Sequence, residues 1–359
     1  MTCNVSAPSE ARHAARVESF RAAPAAPLRD GRLRVRPGDA VVRVSHASVG
    51  VTDLMASRGD YLLQPRPGFV TGYDLVGRIE RLPVGGEAQG LEVGRRVAAV
   101  LPRMGGHATR VALPASLLVP LPDDLDDALA ATFPLDAVTA LAALELLDPQ
   151  AADPVLVRPD PVQADPVLVQ ADPVLVQGAG GAVGALAVQL IGLRGGAAYG
   201  TASDRSRAVA ERHGAVVLDH RDPDWIEELR DRTGGGVAGL IDHTGSAAVR
   251  RAVRPGGRLV RTAFGGAPGR QRRATALGSL RALTRRYANP AERICSVPML
   301  VAADRPRYRR MLGELLRLLA AGTLRSATPV PVPFADFPEA LRAAGSARPG
   351  TKIVLAMPT

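Results

Sequence analysis

The 359 residues, 46% of them hydrophobic, are enough for two domains with cores of their own and exclude a disordered or fibrous chain. Lys and Arg number 45 against 35 Asp and Glu, but the resulting +10 is spread along a chain with only 3% aromatic residues, which argues against a nucleic-acid partner. Two cysteines, Cys3 and Cys295, exclude a disulfide framework. There is no Cys-x-x-Cys pair for structural zinc, no secretory leader pattern and no apolar run near the roughly 20 residues of a membrane span, so a soluble, cytoplasmic protein is expected.

From Ala40 to about Leu118, short β-branched runs are punctuated by glycine and proline: AVVRVSHASV, LVGRIERL, RRVAAVL and ATRVALP. They predict the strands of a compact β-rich domain. Asp123 to Leu147, rich in alanine and leucine with acidic residues early, predicts one or two helices. A seven-residue unit, ADPVLVR or ADPVLVQ, then begins at Ala152, Ala164 and Ala171. Only the third copy leads into the glycine turn behind it. The earlier copies, 152–170, therefore read as a duplication that lengthens a linker, expected as an exposed loop or edge strand because each proline lacks an amide donor. From Val174 onward strands alternate with helices: VLVQ before AVGALAVQLIGLRG, AAYGTAS before SRAVAERHG, then VVLD, AGLIDHTG and GRLVRTAFGG. That spacing suits an α/β fold with a parallel, doubly wound sheet. Arg270 to Arg286, with six arginines, reads as a solvated surface or helix face. Arg307 to Ala321 predicts an amphipathic helix and Lys352 to Met357 a closing strand.

The stretch Val174 to Gly184, VLVQGAGGAVG, is a strand running into a glycine-rich turn that opens a helix. Small residues there let the backbone turn sharply and approach a pyrophosphate, and the helix amino end supplies N–H donors to it. Gly180, Gly181, Ala182 and Val183 are the expected phosphate contacts. The next strand ends at Thr201, Ala202 and Ser203, with no acid in place for a ribose 2′-hydroxyl, and Arg205 and Arg207 follow. Thr201, Ser203 and Arg207 thus point to a 2′-phosphate and to NADPH. Two readings stay open beside this one: Asp204 as the acid displaced by two residues, and the arginines as an exposed helix face.

The segments ASVGVTDLMASRGDY, TGYDLVG, GGHATRVALPASLLVPLP, FPLDAVTALAAL, AGGAVG, GTASDRSR, RPGGRLV and GTKIVL resemble the medium-chain dehydrogenase/reductase superfamily, specifically its zinc-independent quinone oxidoreductase and enoyl reductase branch. The resemblance covers nearly the whole chain from Ala40. It implies a GroES-like catalytic domain beginning in 1–135, a Rossmann domain over 136–300 and a return to the catalytic domain over 301–359, with the substrate in the cleft between them. Zinc-dependent members carry a cysteine two residues before a Thr/Ser-Asp pair and His-Glu after the later glycine. Here Gly50 precedes Thr52-Asp53, and Tyr73-Asp74 follows Gly72, so no catalytic metal is expected. His46 and His107 read as ordinary polar residues.

The resemblance implies hydride delivery to an activated C=C or a quinone, with a donor for the anion that forms. Tyr61 of Gly59-Asp60-Tyr61 matches the family's Gly-x-Tyr segment and is the candidate donor, the alternative being a tyrosine that merely lines the cleft mouth. By the same carry-over Thr139 lies beside the nicotinamide, His220 near the adenosine phosphate, Phe264 and Gly265 on the loop passing the nicotinamide, and Lys352 matches the closing Gly-Lys lysine shifted by one. Asp136 and Gly50 stand where relatives have asparagine. A homodimer paired near Ile294 to Leu300 is implied. Two other functions compete: a non-catalytic NADPH-binding protein that signals to a partner, and a zinc alcohol dehydrogenase.

Overall fold

The computed structural model describes residues 12–20, 23–30, 33–84, 90–147 and 171–358. The first sheet is built on β1 (Asp39–Val49), whose apolar side chains are all buried. β1 pairs antiparallel with β2 (Asp74–Arg81), which continues to β3 (Arg96–Val100) and on to the short strand Val119–Pro120. β4 (Arg110–Pro114) also pairs with β1. The helices α1 (Val51–Ser57), α2 (Asp127–Ala131) and α3 (Pro134–Leu147) follow the first strand and the sheet in turn. Asp126 caps α2, its side chain accepting from Leu129 N at 2.8 Å. α3 buries nearly all of its length, as an alanine- and leucine-rich helix wedged between the two halves must.

The second sheet has six strands, all parallel: β5 (Ala171–Gln177), β6 (Gly196–Thr201), β7 (Val216–Leu218), β8 (Val237–Asp242), β9 (Val253–Arg261) and β10 (Ala291–Ile294). Their order, β7-β6-β5-β8-β9-β10, reverses direction beside β5, and the crevice there lies at the carboxyl ends of the strands. α4 (Ala182–Leu193) crosses from β5 to β6 and packs against α3; Leu186, Val188, Leu190 and Ile191 are buried, each contributing about 1.5–3 kcal/mol. α5 (Asp204–Arg212) follows β6, and α6 (Gln271–Thr284) runs between β9 and β10.

β5 begins three residues earlier than the sequence suggests. Ala171 already pairs with Gly196, and the register shifts before Val174, at the place where Pro173 has no N–H to give the ladder. The earlier repeat copies, 152–170, lie outside the described residues, as does Cys3.

After the second sheet the chain runs through α7 (Arg305–Ala320), whose buried Tyr308 donates to Leu117 O at 3.1 Å and accepts from Val100 N at 2.7 Å. It then returns to the first sheet. β11 (Thr328–Pro333) and β12 (Thr351–Ala356) pair in parallel, and β12 lies antiparallel to β1. That return brings Lys352 beside the start of α1 and α3. Among the described residues no helix is long and apolar enough to cross a membrane.

Candidate active site

The glycine turn joins β5 to α4. A Cβ on Gly180 would come 2.2 Å from the carbonyl oxygen of Ser206, so only glycine lets α5 lie this close. Gly181 caps α4, and Ala182 and Val183 form its first turn, where N–H groups have no intrahelical partner and face the crevice end of the sheet. The turn is held from β6: Gly178 N donates to Thr201 Oγ1 at 3.3 Å, and Thr201 in turn donates to Gln177 Oε1. His243, just past β8, reaches over the end of β5 to Gln177 O at 3.2 Å.

The loop after β8 is fixed by a buried ion network. Asp242 accepts from Thr244 Oγ1 (2.7 Å) and Gly245 N (2.8 Å) and is paired with Arg261, which also reaches Glu292 at 3.2 Å. Gly265 N donates to Thr244 O at 2.7 Å, so the network also holds Phe264 and Gly265 beside the crevice, with the Phe264 ring buried. Thr139 lies in α3, its hydroxyl donating to Leu135 O at 2.7 Å.

At the adenosine end, Ser203 caps α5 and its hydroxyl lies 3.0 Å from that of Ser206. Arg207 reaches Val217 O at 3.3 Å, and His220 is exposed just past β7. Arg221 holds Asp204 through two hydrogen bonds of 2.8 and 2.9 Å and Asp219 through others of 2.9 and 3.0 Å. Asp204 is therefore not a free acid.

The other wall of the cleft comes from the first domain. Asp53, buried in α1, accepts from Gly50 N at 2.9 Å and from Gly72 N at 2.8 Å, tying together two turns that are 22 residues apart in sequence. Tyr73 follows the second of these turns and is buried; its ring meets that of Tyr61 edge-on, with the centroids 6.0 Å apart. Burial holds both phenols above their usual range, Tyr73 further than Tyr61. Asp60, beside Tyr61, accepts from Gly269 N at 2.7 Å and bolts this wall to the loop ahead of α6.

Behind the tyrosines, Lys352 pairs with Asp136 at 2.6 Å, and its ammonium lies 3.6 Å from where a Cβ on Gly50 would stand. Burial alone would depress Lys352, but Asp136, with Asp74 and Asp53 behind it, outweighs that and raises it. Asp74 is buried, accepting from Ser48 Oγ at 2.9 Å and Leu135 N at 3.3 Å, and burial pushes its carboxyl up to about 7. His107 is also buried, between Thr71 Oγ1 at 2.7 Å and Ser48 O at 2.8 Å, whereas His46 stands elsewhere on β1. Among the described residues no three His, Cys, Asp or Glu side chains are grouped to hold a metal ion.

The structure thus gathers Tyr61 and Lys352 on one wall, the glycine turn, Phe264, Gly265 and Thr139 on the other, and Thr201, Ser203, Arg207 and His220 toward the far end. Sequence reasoning missed Tyr73, Asp53, the Asp242–Arg261 network and Arg221. Tyr73 had a signal, since it fills the position after Gly72 where a metal-binding histidine would stand. The others depend on contacts across the fold.

Residues 213–355 match the model of the zinc-binding dehydrogenase family and residues 36–123 that of the alcohol dehydrogenase GroES-like domain. A phenolphthiocerol/phthiocerol polyketide synthase subunit of Mycobacterium tuberculosis is 30% identical over 333 residues, which are 90% of this chain and 14% of that protein. Trans-enoyl reductase traG of Penicillium crustosum is 32% identical over 227 residues, 59% of this chain and 60% of that one. The chain therefore spans only a small part of the first relative and under two thirds of the second. A putative NADPH:quinone reductase from Bacillus thuringiensis superposes with a TM-score of 0.75 at 19% identity, over 97% of this chain and 99% of that one. With both family models in their expected order along one fold, the chain belongs to the medium-chain dehydrogenase/reductase superfamily.

Proposed function

We propose that the protein is an NADPH-dependent, zinc-free reductase of an activated C=C, in an α,β-unsaturated carbonyl or enoyl thioester, or of a quinone. The observation that carries this reading is the tyrosine pair: a half-buried Tyr61 packed edge-on against the buried Tyr73, its phenol kept protonated by burial. Bound in the crevice, the nicotinamide would supply hydride. Tyr61 is then the donor that meets the enolate or hydroquinone anion, and Tyr73 holds its ring in place from behind. Its phenol is held protonated throughout the neutral range, as a donor requires.

The residues present fit the cofactor. Gly180 leaves the room a side chain would fill, and Gly181, Ala182 and Val183 present backbone N–H groups to a pyrophosphate. Arg221 engages Asp204 together with Asp219, so the acid at the end of β6 is already hydrogen-bonded, while Ser203, Arg207 and Arg221 supply donors suited to a 2′-phosphate. The zinc-free reading rests on Gly50 and Tyr73, which offer neither thiolate nor imidazole where a metal would need them. A second copy would pair along the outer edge of β10, the last strand of the second sheet; of the expected segment Ile294 to Leu300, Val297 onward is helical.

NADPH oxidation measured across quinones, enals and enoyl thioesters tests this. Turnover is expected with at least one class and a preference for NADPH over NADH. Absence of turnover across the panel, despite tight NADPH binding, overturns it.

A further inference from the structure

α6 carries a surface that the reductase reading does not use. Leu277, Leu280 and Leu283 recur every three residues on its outer side and are 55, 59 and 57% exposed; Tyr287, just past its end, is 84% exposed. Its inner side is anchored instead, through buried Ala282 and through Gly278, where a Cβ would come 2.2 Å from the Phe264 ring. At about 100° per residue, Arg272 falls on one margin of the leucine stripe and Arg281 on the other, and the exposed Arg273 closes its amino end in line with Leu277 and Leu280. No acidic residue occurs between Asp242 and Glu292, a stretch that holds 11 arginines.

We propose that this stripe is a docking site for a partner protein that presents an apolar helix face bordered by acidic side chains. An apolar strip framed by like charges fits an amphipathic helix of the opposite charge, with leucines meeting in the centre and ion pairs forming at the rim. A second copy fits badly. A two-fold contact through this stripe would set the same arginines against each other across a dehydrated interface. A membrane surface fits less well too, since the strip is one side chain wide and edged by arginine within a turn on both sides, narrower than the face a membrane-lying helix buries. Position adds to the case. The loop entering α6 is tied to Asp60 through Gly269 N, and Gln271 donates to Phe264 O, so a partner on the stripe sits beside the cleft mouth. The proposal does not depend on the reductase reading.

The test uses the full chain and a synthetic helix with a leucine face bordered by glutamates, followed by fluorescence anisotropy, with a lysine-bordered twin as control. Saturable, salt-sensitive binding of the acidic helix is expected, weakened roughly tenfold or more in Leu280→Glu and in Arg272→Glu/Arg281→Glu. Both variants should melt at the parent temperature, because these side chains lie on the outer face. Equal binding of the two helices, or unchanged binding in the variants, overturns the proposal. So does stronger binding to phosphatidylserine vesicles than to the helix, or a dimer seen by sedimentation that Leu280→Glu dissociates.

Discussion

The buried ring of Tyr73 meets that of Tyr61 edge-on, 6.0 Å between centroids, and so fixes the phenol that stands nearer the cleft. Tyr61→Phe removes the donor and is expected to lower kcat by about 10²–10⁴ on the best substrate of the panel, with little change in NADPH affinity. Tyr73→Phe keeps the ring contact and removes only the hydroxyl behind Tyr61, so a smaller loss of roughly 3–30-fold is expected. Steady-state kinetics on both variants checks the order. Equal losses would mean that Tyr61 is not the particular donor, and no loss in Tyr61→Phe would remove it from the chemistry.

Asp53 joins Gly50 and Gly72 through one carboxylate oxygen each. Asp53→Ala leaves both N–H groups without that acceptor in a largely buried place and is expected to cost about 2–4 kcal/mol. Asp53→Asn keeps one acceptor and should recover about half of this. Denaturant unfolding of the two variants measures the difference.

Much of this architecture was legible in the sequence because it rests on local pattern. The β-branched runs from Ala40, the glycine turn at Gly178 to Gly184 and the strand-helix alternation behind it each announce their element from neighbours a few residues away. The site was legible only where one residue fills a recognised place, as Tyr61, Ser203 and Lys352 do. Lys352 shows the limit. Nothing in the sequence says that β12 carries it against α3, where Asp136, 216 residues away, pairs with its ammonium. Arg221 was likewise invisible, because nothing in the sequence says that its guanidinium turns back across 17 residues onto Asp204.

Arg221 therefore sets the third prediction. Arg221 holds Asp204 through two hydrogen bonds, and on the NADPH proposal its guanidinium stands beside the place for a 2′-phosphate. Arg221→Ala frees the acid and removes the cation together. The ratio of NADPH to NADH affinity is expected to fall roughly tenfold. Titration of both cofactors against the parent and the variant tests it, and an unchanged ratio would place selectivity with Ser203 and Arg207 alone.

Gly180→Ala probes the turn directly. The new methyl would meet the Ser206 carbonyl at 2.2 Å, a backbone atom that cannot swing aside, so α5 must shift away from the phosphate cradle. Destabilisation of about 1–3 kcal/mol and weaker binding of both cofactors are expected. Melting curves with and without NADPH separate the two effects: the variant should melt lower on its own and gain less from the cofactor.

Asp74 gives the fold a pH dependence of unusual sign for an aspartate. Burial lifts its carboxyl to about 7 in the folded chain against an ordinary value of 3.8, even though Lys352 pulls the other way. Between those two values the folded state holds a proton that the unfolded state has released. Stability from this group is therefore greatest below pH 3.8, falls as pH rises from about 4 to 7 and is flat above, with a total on the order of 4 kcal/mol. Asp74→Asn removes the titration and keeps an oxygen to accept from Ser48 Oγ or Leu135 N. Relative to the parent, the variant should gain stability steadily between pH 4.5 and 7.5, which urea unfolding at a series of pH values will show. A difference that stays constant across that range would mean that Lys352 and its neighbours keep Asp74 ionised in the folded chain.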